Sequence, residues 1–106
     1  MKYVQNNVDF ETILKTEIVV IDFYADWCGP CRMLAPIIEA MSDQFKNEAR
    51  VTIAKLDVDK VGVVAAKYGV NTIPTVIFFK NGVEYGRAIG YKPQAYLTDV
   101  VTKLLK

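Results

Sequence analysis

At 106 residues the chain is long enough to bury one core without disulfide staples or a structural metal. Its 13 Lys and Arg nearly balance 12 Asp and Glu, and no run of like charge leaves a footprint for nucleic acid or an anionic membrane, so partner binding is expected to rest on shape and apolar contact. There is no histidine, which excludes Ser-His-Asp and Cys-His catalysis and any imidazole zinc site, and two cysteines are too few for a four-thiolate zinc or iron–sulfur site.

The start, Met1 to Asn7, has no apolar run of the signal-peptide kind, and no segment approaches membrane-spanning length, so a cytoplasmic location is expected. Tyr3 and Val4 suit a short edge strand, and Asn6-Asn7 a helix cap. Phe10, Ile13 and Leu14 follow at helical spacing, with Asp9 and Glu11 in the first turn where negative charge is favoured; the pattern predicts a helix over about 8–15. Ile18 to Tyr24, IVVIDFY, is β-branched and aromatic on both faces, which predicts a central strand with helices above and below. Asp22 is the odd member of that run. One reading is a carboxylate near a strand end with its head in water. The other is a proton acceptor below the cysteines, kept dry so that its affinity for a proton approaches that of a thiol.

Both cysteines fall in the next stretch, Trp27 to Arg32, WCGPCR, between that strand and a helical pattern that starts near Pro30. Two thiols separated by two residues can close a disulfide on themselves. The first N–H groups of a helix have no internal partners and carry partial positive charge, so a sulfur at Cys28 can accept the N–H of Cys31 and is favoured as thiolate. Stabilisation of about 1.4 kcal/mol would lower a cysteine pKa by roughly one unit from ~8.5, raising the thiolate fraction at neutral pH from roughly 3% to about 24%. The thiolate is the nucleophile of disulfide exchange, so an ionised, accessible sulfur is expected at Cys28.

Leu34, Ile37, Ile38, Met41 and Phe45 continue the helical stripe, interrupted by Pro36, while Pro30 is tolerated in a first turn. Two roles fit Pro36, a kink that aims the first turn and a bend that wraps the core. Val51 to Val58 reads as the next strand. Its Lys55 either pairs with Asp22 or snorkels to solvent. Val61, Val64, Ala65 and Tyr68 give a short helix ended by Gly69. Thr75 to Lys80 is an apolar strand opened by Pro74, and Asn81-Gly82 is a hairpin signal joining it to an antiparallel strand over 83–89, where Gly86 suggests a bulge. After Gly90, Pro93 opens a final helix in which Leu97, Val100, Val101, Leu104 and Leu105 face the core. The order β, α, β, α, β, α, β, β, α, without linker or repeat, implies an α/β sheet with parallel strands and an antiparallel hairpin at one side. In such sheets the working site lies beyond the carboxyl ends of the parallel strands, which is where Cys28 falls.

The chain resembles the thioredoxin family over nearly its whole length, as one domain, 1–106. The resemblance rests on DFYADWCGPCR at Asp22 to Arg32, on Pro36, on AKLDVD at Ala54 to Asp59, on KYGVNTIPTVIFFKNG at Lys67 to Gly82 and on the Gly90 loop. It implies a five-stranded sheet of order 1-3-2-4-5 flanked by four helices, two on each face. It implies that Cys28 attacks and Cys31 resolves, that Asp22 assists proton removal from Cys31, and that Lys55 is its neighbour. Ile73-Pro74 falls on a cis-proline loop whose backbone pairs with an extended substrate peptide. Trp27, Gly29, Pro30, Ile73, Pro74, Ile89 and Gly90 fall on a flat, mostly apolar docking surface. Tyr24 stands where many members carry a second tryptophan, and Arg32 where many carry lysine.

The implied activity is protein-disulfide reduction by reversible dithiol–disulfide exchange, with no bound cofactor because the two cysteines carry the electrons. The implied partners are an NADPH-dependent flavoprotein thioredoxin reductase and oxidised client proteins, and a monomer is expected. Gly29-Pro30 between the cysteines resembles reducing members of the family. The rival reading is a binding module in which the same apolar surface grips a partner and the dithiol is incidental.

Overall fold

The computed structural model describes residues 1–106 as nine elements: β1 (Lys2–Tyr3), α1 (Asn7–Ile13), β2 (Ile18–Tyr24), α2 (Gly29–Gln44), β3 (Val51–Asp57), α3 (Gly62–Lys67), β4 (Thr75–Lys80), β5 (Val83–Ile89) and α4 (Gln94–Leu105). The sheet order is β1-β3-β2-β4-β5, with β3 parallel to both β1 and β2, and β4 antiparallel to both β2 and β5. The elements fall where hydrophobic periodicity and turn chemistry put them, with boundaries shifted by one or two residues. No helix is long and apolar enough to cross a membrane.

The period-two alternation of the strands divides the core between two faces. On one, Val19, Ile21 and Phe23 of β2 pack with Phe10 of α1, Val64 of α3 and Phe79 of β4. On the other, Ile18 and Val20 pack with Leu34, Ile38 and Met41 of α2 and with Leu97, Val101 and Leu104 of α4. Asp22 continues this second set, so its side chain projects toward the face that α2 covers.

Local chemistry explains the connections. Asn6 caps α1 by accepting the Asp9 N–H at 2.8 Å. Asn81 and Gly82 both have positive φ, 52° and 81°, as a two-residue hairpin turn with the twist of its flanking strands requires. The expected bulge lies beside Gly86: Phe78 pairs with Gly86 and Phe79 with Glu84, which leaves Tyr85 without a partner. At the pole of the sheet away from the cysteines, Glu17 accepts hydrogen bonds from Arg50 at 2.8 and 3.1 Å and from Lys80 at 2.6 Å. The same two cations donate to the Leu105 and Leu104 carbonyls, satisfying the last turn of α4. Arg50, then Lys80, hold the Glu17 carboxyl down to about 2.

On the α1/α3 face, Phe10, Tyr68 and Phe79 form an edge-to-face triangle with ring centroids 5.3–5.9 Å apart. Phe79 is fully buried, so Phe79→Ala loses both its transfer free energy and two ring contacts. It is expected to destabilise the fold by about 3–5 kcal/mol, read as a lower urea midpoint with an unchanged slope.

Candidate functional site

The strand before the cysteines ends at Tyr24 and the helix after them begins at Gly29, so Cys28 sits at the helix cap. Its backbone is extended (φ −89°, ψ 113°), and its Sγ accepts the Cys31 N–H at 3.3 Å, as the sequence predicts for a sulfur at this position. Pro30 occupies the first turn, where its missing N–H costs nothing, and α2 runs on through Pro36 to Gln44. Cys28 and Cys31 are joined as a disulfide with Cα atoms 5.2 Å apart.

Exposure differs from the sequence expectation. Cys28 is only 5% exposed and Cys31 3%, because the pair packs with Ala25 and is flanked by Tyr24, Val58 and Ile73. The Cys28 Sγ lies 3.8 Å from the Ile73 carbonyl oxygen, and the Ile73–Pro74 peptide bond is cis. The Pro74 carbonyl accepts the Gly90 N–H at 2.8 Å, which ties the β5–α4 loop to this turn. Trp27 and Ile89 stand out at 69% and 54% exposed, Pro30 is exposed, and Gly29, Ile73 and Gly90 are half-buried. Pro74 itself is buried. These residues form a rim of apolar and backbone surface around a nearly covered disulfide.

Asp22 is 0% exposed, and neither carboxylate oxygen has a hydrogen-bond partner. The reading with its head in water is therefore excluded. Desolvation pushes its carboxyl up to about 7, against a smaller downward pull from the Lys55 charge. Lys55 is the register partner of Asp22 across β2 and β3. The two form no ion pair; the Lys55 ammonium instead lies over the Tyr24 ring, 4.4 Å from its centroid, with the Tyr3 ring at 5.8 Å. Lys55, Tyr24, Cys31 and Arg32 share the wall of a surface cavity of about 110 Å³.

Three participants escaped the sequence reading. Asp59 accepts the Trp27 indole N–H at 2.9 Å and fixes that exposed ring; the acidic AKLDVD segment was visible, but not that its last residue reaches back 32 positions. Tyr3 reaches Lys55 because β1 joins β3 in register at those residues, which no local pattern reveals. The Asp26 carbonyl accepts from Arg32 Nη1 at 2.9 Å and holds the first turn of α2 against the end of β2.

Comparison with known proteins gives one consistent result. The thioredoxin family model matches residues 2–103. A thioredoxin of Chlamydia pneumoniae is 40% identical over 95 residues, covering 90% of each chain, and one of Staphylococcus aureus is 39% identical over 99 residues, covering 93% of each. Among solved structures, a mutant thioredoxin from Halobacterium salinarum superposes with a TM-score of 0.90 at 32% identity, covering 99% of this chain and 90% of that one. The thioredoxin of Fasciola hepatica gives 0.86 at 37% identity, covering 97% and 98%.

The dry carboxyl has a thermodynamic consequence. Between about pH 4 and pH 7 the folded chain keeps a proton on Asp22 that the unfolded chain has released, so stability falls as pH rises through that window and levels off above it. A difference of about three pKa units corresponds to roughly 4 kcal/mol above neutral pH. Asp22→Asn is therefore expected to raise the urea midpoint at pH 8 by an amount worth roughly 2–4 kcal/mol and to change it little at pH 4.

Proposed function

The chain belongs to the thioredoxin family and is a dithiol–disulfide reductase, and on that premise we propose that Cys28 supplies the attacking thiolate and Cys31 the resolving thiol. The observation that carries the assignment is the Cys31 N–H donated to the Cys28 sulfur at the cap of α2. The free N–H groups of a first turn favour negative charge on the capping atom, and only Cys28 is in that position. Cys31 lies inside the first turn, where its N–H is the donor and its own sulfur accepts no hydrogen bond.

In the reductive direction the Cys28 thiolate attacks one sulfur of a client disulfide. A Cys28–client bond forms, the client's own S–S bond breaks, and the second client sulfur leaves as thiolate. Cys31 then gives up its proton and attacks the Cys28 sulfur; the mixed disulfide breaks, the client leaves reduced, and the Cys28–Cys31 bond closes. Closure is intramolecular, so the effective concentration of the second thiol is high. Asp22 takes the Cys31 proton: a buried carboxyl raised to about 7 is a base matched to neutral pH, which an ordinary aspartate is not. Lys55, its neighbour in register, tunes it by charge.

Client docking falls to the rim of Trp27, Gly29, Pro30, Ile73, Pro74, Ile89 and Gly90. An extended peptide laid along Ile73 would pair with its backbone while apolar side chains cover Trp27 and Ile89. The regenerating partner is an NADPH-dependent flavoprotein thioredoxin reductase, the clients are oxidised proteins of the cytoplasm, and the chain works as a monomeric single domain.

Mixing Cys31→Ser with an oxidised client protein is expected to accumulate a covalent mixed disulfide, visible on a non-reducing gel and lost with dithiothreitol; Cys28→Ser is expected to trap none. The reverse pattern would exchange the two roles. In single-turnover kinetics at pH 7, Asp22→Ala is expected to slow resolution roughly tenfold while leaving the first attack nearly unchanged. Equal slowing of both steps would remove the proton-acceptor role.

A further inference from the structure

Lys55 could reach Asp22 and does not. The two residues are register partners on adjacent parallel strands, and both alternate with residues of the α2-facing side, Ile18 and Val20 on β2, Val51 and Ile53 on β3. A four-carbon stem projected from the same side of the neighbouring strand is long enough to bring its ammonium to the carboxylate. That carboxylate has two oxygens without a donor, and an opposite charge is what a desolvated anion most lacks. The ammonium nevertheless sits 4.4 Å from the centroid of the Tyr24 ring, inside the ~6 Å range over which a ring face attracts a cation. Tyr24 is two residues beyond Asp22 and on the same side of β2, so its ring stands beside the path that the lysine would take. Tyr3, in register with Lys55 on β1, adds a second ring at 5.8 Å from the other flank.

We propose that Tyr24 is a positioning residue for the exchange reaction: with Tyr3 it holds the Lys55 ammonium off Asp22, and so keeps the carboxyl available to take the Cys31 proton. The consequence for the reaction rests on the role assigned to Asp22 above; the positioning itself does not.

The other ionisable groups around the carboxyl leave Lys55 as its one movable cation. β4 presents Val76 opposite Asp22, and α4 presents Leu97 and Val101 to this face, none of which titrates. β3 adds Asp57, paired in register with Tyr24, and the turn before α2 adds Asp26; α2 contributes Cys31 and the exposed Arg32, whose guanidinium is engaged with the Asp26 carbonyl. Negative charge on Asp57 and Asp26, with burial first, pushes the Tyr24 phenol up to about 12, so the ring stays neutral throughout the working range.

The test is the titration of the Asp22 carboxyl, followed by its ¹³C resonance in the oxidised protein, together with the pH midpoint of the resolution step in the reduced one. Tyr24→Leu frees the ammonium to close on the carboxylate and is expected to lower the Asp22 midpoint by about one pH unit, the lower end of the effect of an opposite charge at contact. Tyr24→Phe keeps the ring face and is expected to stay within a few tenths of a unit of the parent. In a Lys55→Met background the Tyr24→Leu change is expected to disappear, because no cation is left to move. A Tyr24→Leu midpoint that stays put or rises would overturn the proposal, as would an equal fall without Lys55, which would make the ring a mere shield from water. If the carboxyl midpoint falls and the pH midpoint of resolution does not follow, the positioning stands and the proton-acceptor role of Asp22 is what fails.

Discussion

One constraint organises the molecule: a helix must begin directly above the carboxyl end of a buried parallel strand, with a cysteine as its cap. The Cys31 N–H bound to the Cys28 sulfur at 3.3 Å is the visible result. Everything that fixes it is structural. β2 is held on both sides by β3 and β4, α2 is anchored by Leu34, Ile38 and Met41 against the sheet, and Arg32 ties the first turn to the Asp26 carbonyl. One otherwise unpaired amide of that turn, the Cys31 N–H, is directed at a sulfur, the arrangement by which a helix end favours negative charge on its cap.

On the α2-facing side of β2, the protein bears a second electrostatic feature at a cost in stability. A carboxyl group closed off from the surface and without a protein hydrogen-bond donor lies in a largely apolar face, with a lysine nearby that turns to aromatic rings instead. A fold selected for stability alone would place an apolar residue there or close the ion pair. Destabilised ionisable groups concentrate at working sites, and here the shifted group and the exchange chemistry share one end of one strand. On the proposed assignment the two features are complementary: the helix end would favour the thiolate of Cys28, while the dry carboxyl would take the proton of Cys31.

Much of this was legible in the chain. The run IVVIDFY announced a central strand because buried central strands are apolar on both faces, TVIFFK announced a further apolar strand, and Asn81-Gly82 announced the hairpin because both residues need positive φ. Cys28 at a helix start followed from Pro30 and the stripe that begins at Leu34. Asp22 was conspicuous as a charge inside an apolar run, and burial decided between its two readings. What could not be read were side-chain choices and distant pairings. Strand spacing makes Asp22 and Lys55 neighbours at the backbone, but a lysine has several rotatable bonds, and its preference for Tyr24 depends on which rings the register brings alongside. Trp27 with Asp59 and Tyr3 with Lys55 are joined only by the folded sheet and its loops. The covering of Cys28 to 5% exposure likewise involves Val58 and the Ile73 turn, the latter 45 residues away in sequence.

The central claim concerns ionisation of one sulfur, and the rate of alkylation of reduced protein by iodoacetamide over a pH series measures it directly, with Cys31→Ser isolating Cys28. A titration midpoint at least one unit below the ~8.5 of an ordinary cysteine is predicted, with reaction persisting at pH 7. A midpoint at or above that reference, or a sulfur that the reagent does not reach at any pH, would contradict activation by the helix end.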